Sequence, residues 1–178
     1  MKDIITENLL IRESTFEDCR TFYEWELKPE VTEFFSIRDG QTEEEVYQKY
    51  LTDKQNPAFE QWTICLKETG EMIGRIVIGD IEPEWKAELW RIYIADTSLR
   101  GKGVGREAML AVMRHAFVDL NLKRFYLDHY TGNPASYLYL SLGFKYEGVL
   151  RHNCRKNGIL YDVHLMSMLI DEYEALYK

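Results

Sequence analysis

The sequence has few cysteines, and their arrangement indicates neither a disulfide framework nor a metal site. Its three cysteines, Cys19, Cys65 and Cys154, are far apart in a chain of 178 residues. Zinc sites and disulfide-rich domains instead place cysteines at short, regular spacings. We therefore expect no metal site and three small, mostly buried side chains, as in a protein of the reducing cytoplasm.

Long apolar runs are also absent. No stretch approaches the roughly 20 consecutive apolar residues that a membrane-spanning helix needs. The first seven residues include Asp3 and Glu7 and lack the apolar core of a signal peptide. We expect a cytoplasmic protein without a membrane partner.

The chain has no excess of positive charge. It carries 22 Lys and Arg against 30 Asp and Glu, a net charge of −8, which argues against nucleic acid as a partner. The acidic excess lies in residues 1–60, where 15 acidic residues accompany 7 basic ones. A solvated helical surface explains this excess, and attraction of a cationic acceptor such as an amine is the alternative.

Apolar periodicity and turn signals predict a single α+β domain over residues 1–178. We expect a mixed, mostly antiparallel sheet with one parallel pair around the helix that follows residue 103. Strands are predicted at residues 4–12, 61–66, 72–79, 87–95, 124–130, 144–150 and 161–170, and helices at 14–27, 43–51, 104–120 and 133–143.

Local signals set several element boundaries. Capping boxes at residues 14–17 and 42–45 predict two helix starts, and Pro29 is expected to end the first of these helices. The dipeptide Asn157-Gly158 is typical of a tight hairpin turn.

Residues 100–106 read Arg-Gly-Lys-Gly-Val-Gly-Arg and precede a helix. Glycines let the backbone turn its N–H groups toward a ligand, and the helix start adds further free N–H groups, so the loop predicts a phosphate or pyrophosphate site. A Walker A loop is excluded because no hydroxyl residue follows Lys102, and a dinucleotide fingerprint fits poorly because Arg106 replaces its last glycine. A loop without a ligand is the structural alternative.

The pattern Arg100-x-x-Gly103-x-Gly105 resembles the acetyl-coenzyme A motif of the GNAT superfamily of N-acetyltransferases. The chain is similar to this family over about residues 4–170. Residues 6–12 and 157–166 resemble the branch that contains ribosomal-protein and spermidine N-acetyltransferases. A second family motif is matched by Asn133, Ser136, Tyr139, Gly143 and Phe144.

The resemblance implies a twisted sheet flanked by helices, with a splayed parallel strand pair that holds acetyl-coenzyme A. In such enzymes the loop N–H groups bind the pyrophosphate, the preceding strand pairs with the pantetheine arm, and the acyl group lies between residues 92–94 and 127–129. The cofactor-binding residues implied are Ile92, Tyr93, Ile94, Arg100, Gly101, Lys102, Gly103, Val104, Gly105, Arg106, Asn133, Ser136 and Tyr139.

Attack of an amine on a thioester needs a group that takes the amine proton and one that protonates the leaving thiolate. Tyr139 matches the acid of the family, although packing against the sheet would also explain this tyrosine. The spacing is one residue short of the common pattern: counting back from Gly143 selects Tyr139, whereas counting forward from Asn133 selects Leu140.

Glu88 resembles a glutamate that some relatives use as a general base through water. Strand alternation places it on one face with Trp90, Ile92 and Ile94. Asp128 and His129 are the alternative bases, and a salt bridge at the strand edge is the structural alternative for Glu88.

The family resemblance predicts acetyl transfer to a primary amine, which could be a protein N-terminus, a polyamine or a small molecule. Direct attack is expected because neither motif contains a cysteine. The acceptor pocket should come from the first two helices, residues 30–40 and the closing hairpin, with Trp25, Phe34 and Phe35 as candidates. A catalytically silent coenzyme-A-binding sensor or assembly module is the alternative function. Relatives are often dimers, so a homodimer is a further expectation.

Overall fold

The computed structural model describes residues 2–178 as an eight-stranded sheet with helices on both faces. The strands are β1 (Ile4–Ile5), β2 (Leu9–Glu13), β3 (Glu60–Leu66), β4 (Met72–Glu82), β5 (Lys86–Ile94), β6 (Arg124–Tyr130), β7 (Lys145–Lys156) and β8 (Ile159–Leu169). The helices are α1 (Asp18–Glu26), α2 (Pro29–Thr32), α3 (Glu43–Lys54), α4 (Val104–Arg114), α5 (Ala135–Ser141) and α6 (Ile170–Tyr177). A 3₁₀ turn covers Thr97–Leu99, and a π-helical turn at His115–Asp119 extends α4.

The strands follow the order β1-β2-β3-β4-β5-β6-β8-β7, and every neighbouring pair is antiparallel except β5 and β6. Parallel neighbours need a crossover connection, which α4 supplies here. The predicted mixed, mostly antiparallel sheet with one parallel pair is confirmed.

The parallel pair is splayed. Strands β5 and β6 pair only over residues 86–88 and 124–126, at the amino-terminal end of each strand. Beyond Glu88, β5 stays paired with β4, where Ile92 lies opposite Ile76 and Ile94 opposite Gly74. Within residues 2–178 the other backbone edge of β5 has no strand partner there, so its N–H and C=O groups face the gap toward β6.

Each face of the sheet is covered by its own helices. Helix α4 buries Ala108, Met109 and Val112 against apolar residues of the central strands. Helices α1 and α3 pack together over the opposite face, where the Phe22 ring lies 4.3 Å from the Arg75 guanidinium. None of the helices within residues 2–178 has the length and apolarity to cross a membrane.

The amino-terminal segment forms two strands rather than the predicted single strand over residues 4–12. Strand β1 folds back on β2, and Ile4 lies opposite Ile11. The Thr6 hydroxyl and the Asn8 backbone N–H donate to Glu107 at 2.6 and 2.7 Å. These bonds tie the turn to the start of α4.

One predicted capping box forms and the other does not. The Thr42 box is present at the start of α3. The Ser14 hydroxyl instead bonds the Thr63 hydroxyl at 3.0 Å, and α1 begins at Asp18, whose carboxylate accepts from the Thr15 N–H. Helix α1 ends at Glu26, before Pro29 as predicted, and Pro29 opens α2, where its missing N–H costs no hydrogen bond.

The carboxyl-terminal hairpin turns at Asn157 and Gly158, as predicted, with φ values of 51° and 80°. Its strands extend up to the turn, so residues 151–156, expected to be loop, belong to β7. Helix α6 is not predicted by the sequence patterns, and its Tyr173 stacks on Phe117 at 4.7 Å.

Candidate active site

A cavity of about 400 Å³ occupies the gap between β5 and β6. Residues 89–94 form one wall, and Leu127, Asp128 and Tyr130 form the other. Residues of the segment 30–36 and of α5 complete the lining. The predicted location of the acyl group, between residues 92–94 and 127–129, coincides with this cavity.

The glycine loop presents its backbone N–H groups to open space. Gly101 and Gly103 have φ values of 74° and 83°, and Gly103 is the N-cap of α4. Side chains with a Cβ rarely adopt this conformation. Among residues 2–178, no hydrogen-bond acceptor serves the N–H groups of Gly101, Gly103, Val104, Gly105 and Arg106.

The space around these donors fits a pyrophosphate. No heavy atom lies within 4 Å of the position that a Cβ would take at Gly101, Gly103 or Gly105. Converging N–H groups at a helix start bind anions, which the positive end of the helix dipole also favours. The loop therefore suits the phosphate groups that the sequence predicted.

The three cations of the loop have different surroundings. Arg100 lines the cavity and donates to the Glu30 carbonyl at 2.8 Å, so it joins the loop to α2. Arg106 donates to the Ser141 hydroxyl at 2.9 Å, joining α4 to α5. Lys102 is exposed and has no ion-pair partner among residues 2–178, which leaves its ammonium group free for a phosphate.

Helix α5 places Tyr139 in the wall of the cavity. Its ring lies between those of His129 and Phe144, with centroids at 6.3 and 6.2 Å. No group within residues 2–178 hydrogen-bonds the Tyr139 hydroxyl, and burial raises its pKa to about 12. Leu140 is 53% exposed, so of the two residues selected by the ambiguous spacing only Tyr139 faces the cavity.

Of the two polar residues at the start of the second motif, only Asn133 lines the gap between β5 and β6. Asn133 lines the cavity, and its Oδ1 accepts from the Ala135 N–H at 2.9 Å, which caps α5. Ser136 lines a second cavity, together with His129 and His164, and Asn133 lines both cavities.

A β-bulge at Trp90 reverses the alternation of β5. Val77 lies opposite Arg91 but Ile78 lies opposite Leu89, so Trp90 is an extra residue in β5. The expectation that Glu88 shares a face with Ile92 and Ile94 is therefore wrong.

Beyond the bulge, Arg91 and Tyr93 lie on the same face of the sheet as Glu88, together with Tyr126 and Asp128 of β6. This face is the one that α1 and α3 cover. The bulge thus separates the carboxylate of Glu88 from the apolar face that packs against α4.

Two carboxylates with raised pKa values lie where the strands separate. Burial and the charges of Asp128 and Asp80 raise the pKa of Glu88 to about 7. Burial also raises the pKa of Asp128, which lines the cavity. Glu88 is not in the lining but directly precedes Leu89, where the cavity begins. Buried carboxylates with raised pKa values are typical of proton-transfer sites.

His129, the third candidate base, points to the opposite face of β6. Its Nδ1 lies 3.0 Å from the Tyr130 carbonyl, and its ring stacks on His164 at 5.2 Å. It lines the second cavity and not the gap between β5 and β6. Of the three candidate bases, only Asp128 lines the gap, and Glu88 lies on the same face of the sheet as Asp128.

A buried ion network behind the cavity is not predicted by the sequence motifs. Glu26 Oε1 accepts from Arg75, Arg91 and the Tyr93 hydroxyl at 3.0, 2.8 and 3.1 Å. Burial alone would raise the pKa of Glu26, but the two arginines lower it below its ordinary value. The available signal was helical spacing, because Glu26 follows the buried Phe22 by four residues.

The acceptor side of the cavity contains part of the acidic excess of residues 1–60. Glu30, Glu33, Phe34 and Phe35 all line it. Trp25, also a candidate, lies behind this lining and packs edge-on against Tyr93 at 6.1 Å. Most other acids of this segment are paired within the protein, among them Asp18 with Arg12, Glu45 with Arg38 and Asp53 with Lys49.

Comparisons with known proteins agree with this geometry. The model of a family described as the acetyltransferase (GNAT) domain matches residues 8–145. The uncharacterized N-acetyltransferase p20 of Bacillus licheniformis is 30% identical over 178 residues, covering 97% of this chain and 99% of its own.

Two solved structures share the fold. A spermidine N-acetyltransferase from Vibrio cholerae, in complex with CoA and spermine, has a TM-score of 0.83 at 24% identity and covers 95% of this chain and 99% of its own. An acetyltransferase of Salmonella typhimurium that modifies the N-terminal serine of ribosomal protein L7/L12 has a TM-score of 0.81 at 21% identity, covering 96% of this chain and 100% of its own.

Proposed function

The chain belongs to the GNAT family of acetyl-coenzyme-A-dependent N-acetyltransferases, and on that premise we propose that it acetylates a primary amine by direct attack in the gap between β5 and β6. The observation that supports this most is the composition of that one cavity. It brings together an unpaired backbone edge, a buried tyrosine hydroxyl and a carboxylate with a raised pKa.

The cofactor would be held mainly by the backbone. The free N–H groups of residues 101 and 103–106 would bind the pyrophosphate, with Lys102 and Arg100 adding positive charge. The free edge of β5 at residues 92–94 would hydrogen-bond the pantetheine arm, as a neighbouring strand would. When bound, acetyl-coenzyme A supplies an acetyl group activated as a thioester.

Glu88 is the proposed acceptor of the amine proton. A pKa of about 7 leaves a substantial fraction of this carboxylate ionised at neutral pH while keeping it basic enough to take a proton. Asp128, which lines the cavity, carries a charge that helps to set that pKa. The amine nitrogen, once neutral, would form the new bond to the acetyl carbon as the carbon–sulfur bond breaks. The second proton that the nitrogen loses as the amide forms would replace the one that Tyr139 gives to the sulfur.

Tyr139 is the proposed donor to the leaving sulfur. Because burial raises its pKa to about 12, the hydroxyl stays protonated at neutral pH. It has no acceptor among the described residues 2–178 and lines the gap, so its proton is free for the thiolate.

An acetyl-cysteine route has less support. Cys19 and Cys65 are buried, Cys154 is half-buried, and none of the three lines the cavity. Burial raises the pKa of all three thiols, which disfavours the reactive thiolate.

The amine itself would enter past Glu30 and Glu33, whose charges attract an ammonium group. This lining is compatible with each acceptor class considered above, namely a protein N-terminus, a polyamine and a small amine. Homodimer formation stays a prediction.

The test is release of coenzyme A thiol from acetyl-coenzyme A in the presence of a panel of primary amines, with mass spectrometry of the products. We expect thiol release that depends on an amine and yields the N-acetyl product in equal amount. Tight binding of coenzyme A without release by any amine would favour the sensor alternative and contradict the proposal.

A further inference from the structure

A third cavity, of about 550 Å³, adjoins the active-site gap where the tip of the β7–β8 hairpin meets the loop before α3. The Asp39 N–H donates to Asn157 Oδ1 at 2.9 Å and holds the two segments together. Ser36 and Arg91 line both this cavity and the gap, so the two spaces are adjacent.

The charge of this cavity is opposite to that of the whole protein. Its lining contains one carboxylate, Glu45, but four cations: Arg38, Lys49, Arg91 and Arg155. This concentration of cations occurs in a chain whose net charge is −8.

Two of the four cations are neutralised. Arg38 binds both oxygens of Glu45 at 2.5 and 2.6 Å, and Lys49 pairs with Asp53 at 2.5 Å. These pairs form the wall of the cavity without contributing net charge.

The other two cations are not fully matched. Arg91 shares the single carboxylate of Glu26 with the buried Arg75, so this group of three carries one excess positive charge. Arg155 is exposed and has no acidic partner among residues 2–178. Two guanidinium groups whose positive charge is not fully balanced therefore line one cavity that adjoins the active site.

We propose that this cavity binds an anionic group, a carboxylate or a phosphate, carried by the amine acceptor. Guanidinium groups recognise both through paired hydrogen bonds. This inference rests on the proposed function and specifies its substrate: an acceptor with an amine at one end and an anion at the other.

The geometry also limits the distance between these ends. Because Trp90 is an extra residue in β5, Glu88 and Arg91 lie opposite Gly79 and Val77, which are two residues apart on β4, a separation of roughly 7 Å at the rise of an extended strand. A free α-amino acid is too short to span it, whereas a longer ω-amino acid or a peptide with an acidic side chain near its N-terminus is long enough.

Three acceptors of equal length isolate the far-end group: 8-aminooctanoate, its neutral amide 8-aminooctanamide, and 1,8-diaminooctane. We expect the KM of the carboxylate to be about tenfold lower than that of the amide, because one charge-assisted hydrogen bond strengthens binding by about this factor. The diamine should have the highest KM of the three. A fourth acceptor, 7-aminoheptylphosphonate, shows whether phosphate-like or carboxylate groups bind better.

The matched variants are Arg155→Gln and Arg151→Gln, two exposed arginines of β7 of which only Arg155 lines the cavity. Arg155→Gln should remove the preference for the carboxylate over the amide with little change in kcat, and Arg151→Gln should retain it. The anion site would be refuted if Arg155→Gln kept the preference for the carboxylate, or if the wild type preferred the diamine. It would also be refuted if the wild type acetylated other amines but none of these four. Failure of every amine to release thiol would instead refute the proposed function.

Discussion

Glu88 and Asp128 show how position changes the chemistry of a carboxylate. Each is partly buried, and they lie on adjacent strands at the point where those strands separate. Because burial and mutual repulsion disfavour the ionised form, the pKa of Glu88 rises to about 7. The same side chain on the protein surface would be fully ionised and a weak base.

The first prediction concerns Glu88→Gln. In the wild type, kcat/KM should rise with pH through about 7, because Glu88 must lose its proton before it can act as the base. The variant should lose about 100-fold in kcat and lack this step. It should be no less stable at pH 8, since a carboxylate with a raised pKa destabilises the fold when ionised.

Asp128→Asn provides the companion measurement for this pair. Removing the neighbouring charge should move the pH step of kcat/KM to lower pH, because it removes a repulsion that raises the pKa of Glu88. If the step persists in Glu88→Gln and disappears in Asp128→Asn, the base is Asp128.

A second prediction concerns the hydroxyl of Tyr139. Tyr139→Phe should lower kcat by about 100-fold with little change in the KM for acetyl-coenzyme A. Stability should not fall, since the hydroxyl has no hydrogen-bond partner within the protein. Tyr137→Phe is the control, because Tyr137 lies on the same helix and is 78% exposed. Equal kinetics for Tyr139→Phe and the wild type would exclude the proposed acid.

At the scale of elements, the loop before α4 is the clearest case in which local sequence determines function. Gly103 needs a positive φ and leaves open space where a Cβ would stand. Gly103→Ala should raise the KM for acetyl-coenzyme A at least tenfold and lower stability by about 1–2 kcal/mol.

Gly70→Ala separates these two effects. Gly70 lies in the turn between β3 and β4 with a φ of 73° and equally open surroundings. It should show a similar loss of stability in thermal unfolding without a change in KM. A KM change of equal size in both variants would show that strain, and not the ligand site, is responsible.

Elements specified by neighbouring residues are the ones that the sequence predicts well. Three features depend on residues within a few positions of one another, and all form as expected: the Thr42 capping box, the Asn157-Gly158 turn and the glycine loop.

Elements that depend on distant partners are not predicted. The bulge at Trp90 exists only relative to the register of β4, so alternation along β5 misplaced Glu88. The Ser14 capping box failed for the same reason, because Thr63 and Asp18 offer competing hydrogen bonds.

At the scale of the whole molecule, the network of Glu26, Arg75 and Arg91 connects helix α1 to strands β4 and β5 behind the active site. Glu26→Gln should destabilise the fold by about 3–5 kcal/mol at pH 7, because it leaves two guanidinium groups without their carboxylate. Urea unfolding measures this change.

The pH dependence of this loss has a definite sign. Arg91 and Arg75 depress the pKa of Glu26 in the folded state, so its contribution is complete above its unfolded pKa of about 4.3 and is lost as the pH falls through the lower folded value. The difference in the free energy of unfolding between the wild type and Glu26→Gln should shrink only in that acidic range. Glu24→Gln, on the exposed side of α1 and paired with Arg20, should change stability by less than about 1 kcal/mol.

The most direct test of the central claim is a crystal structure of the protein with coenzyme A. We predict the pyrophosphate on the N–H groups of residues 101 and 103–106, the pantetheine arm along residues 92–94, and the sulfur within about 3.5 Å of the Tyr139 hydroxyl. Coenzyme A bound outside the gap between β5 and β6, or a sulfur remote from Tyr139, would contradict this account.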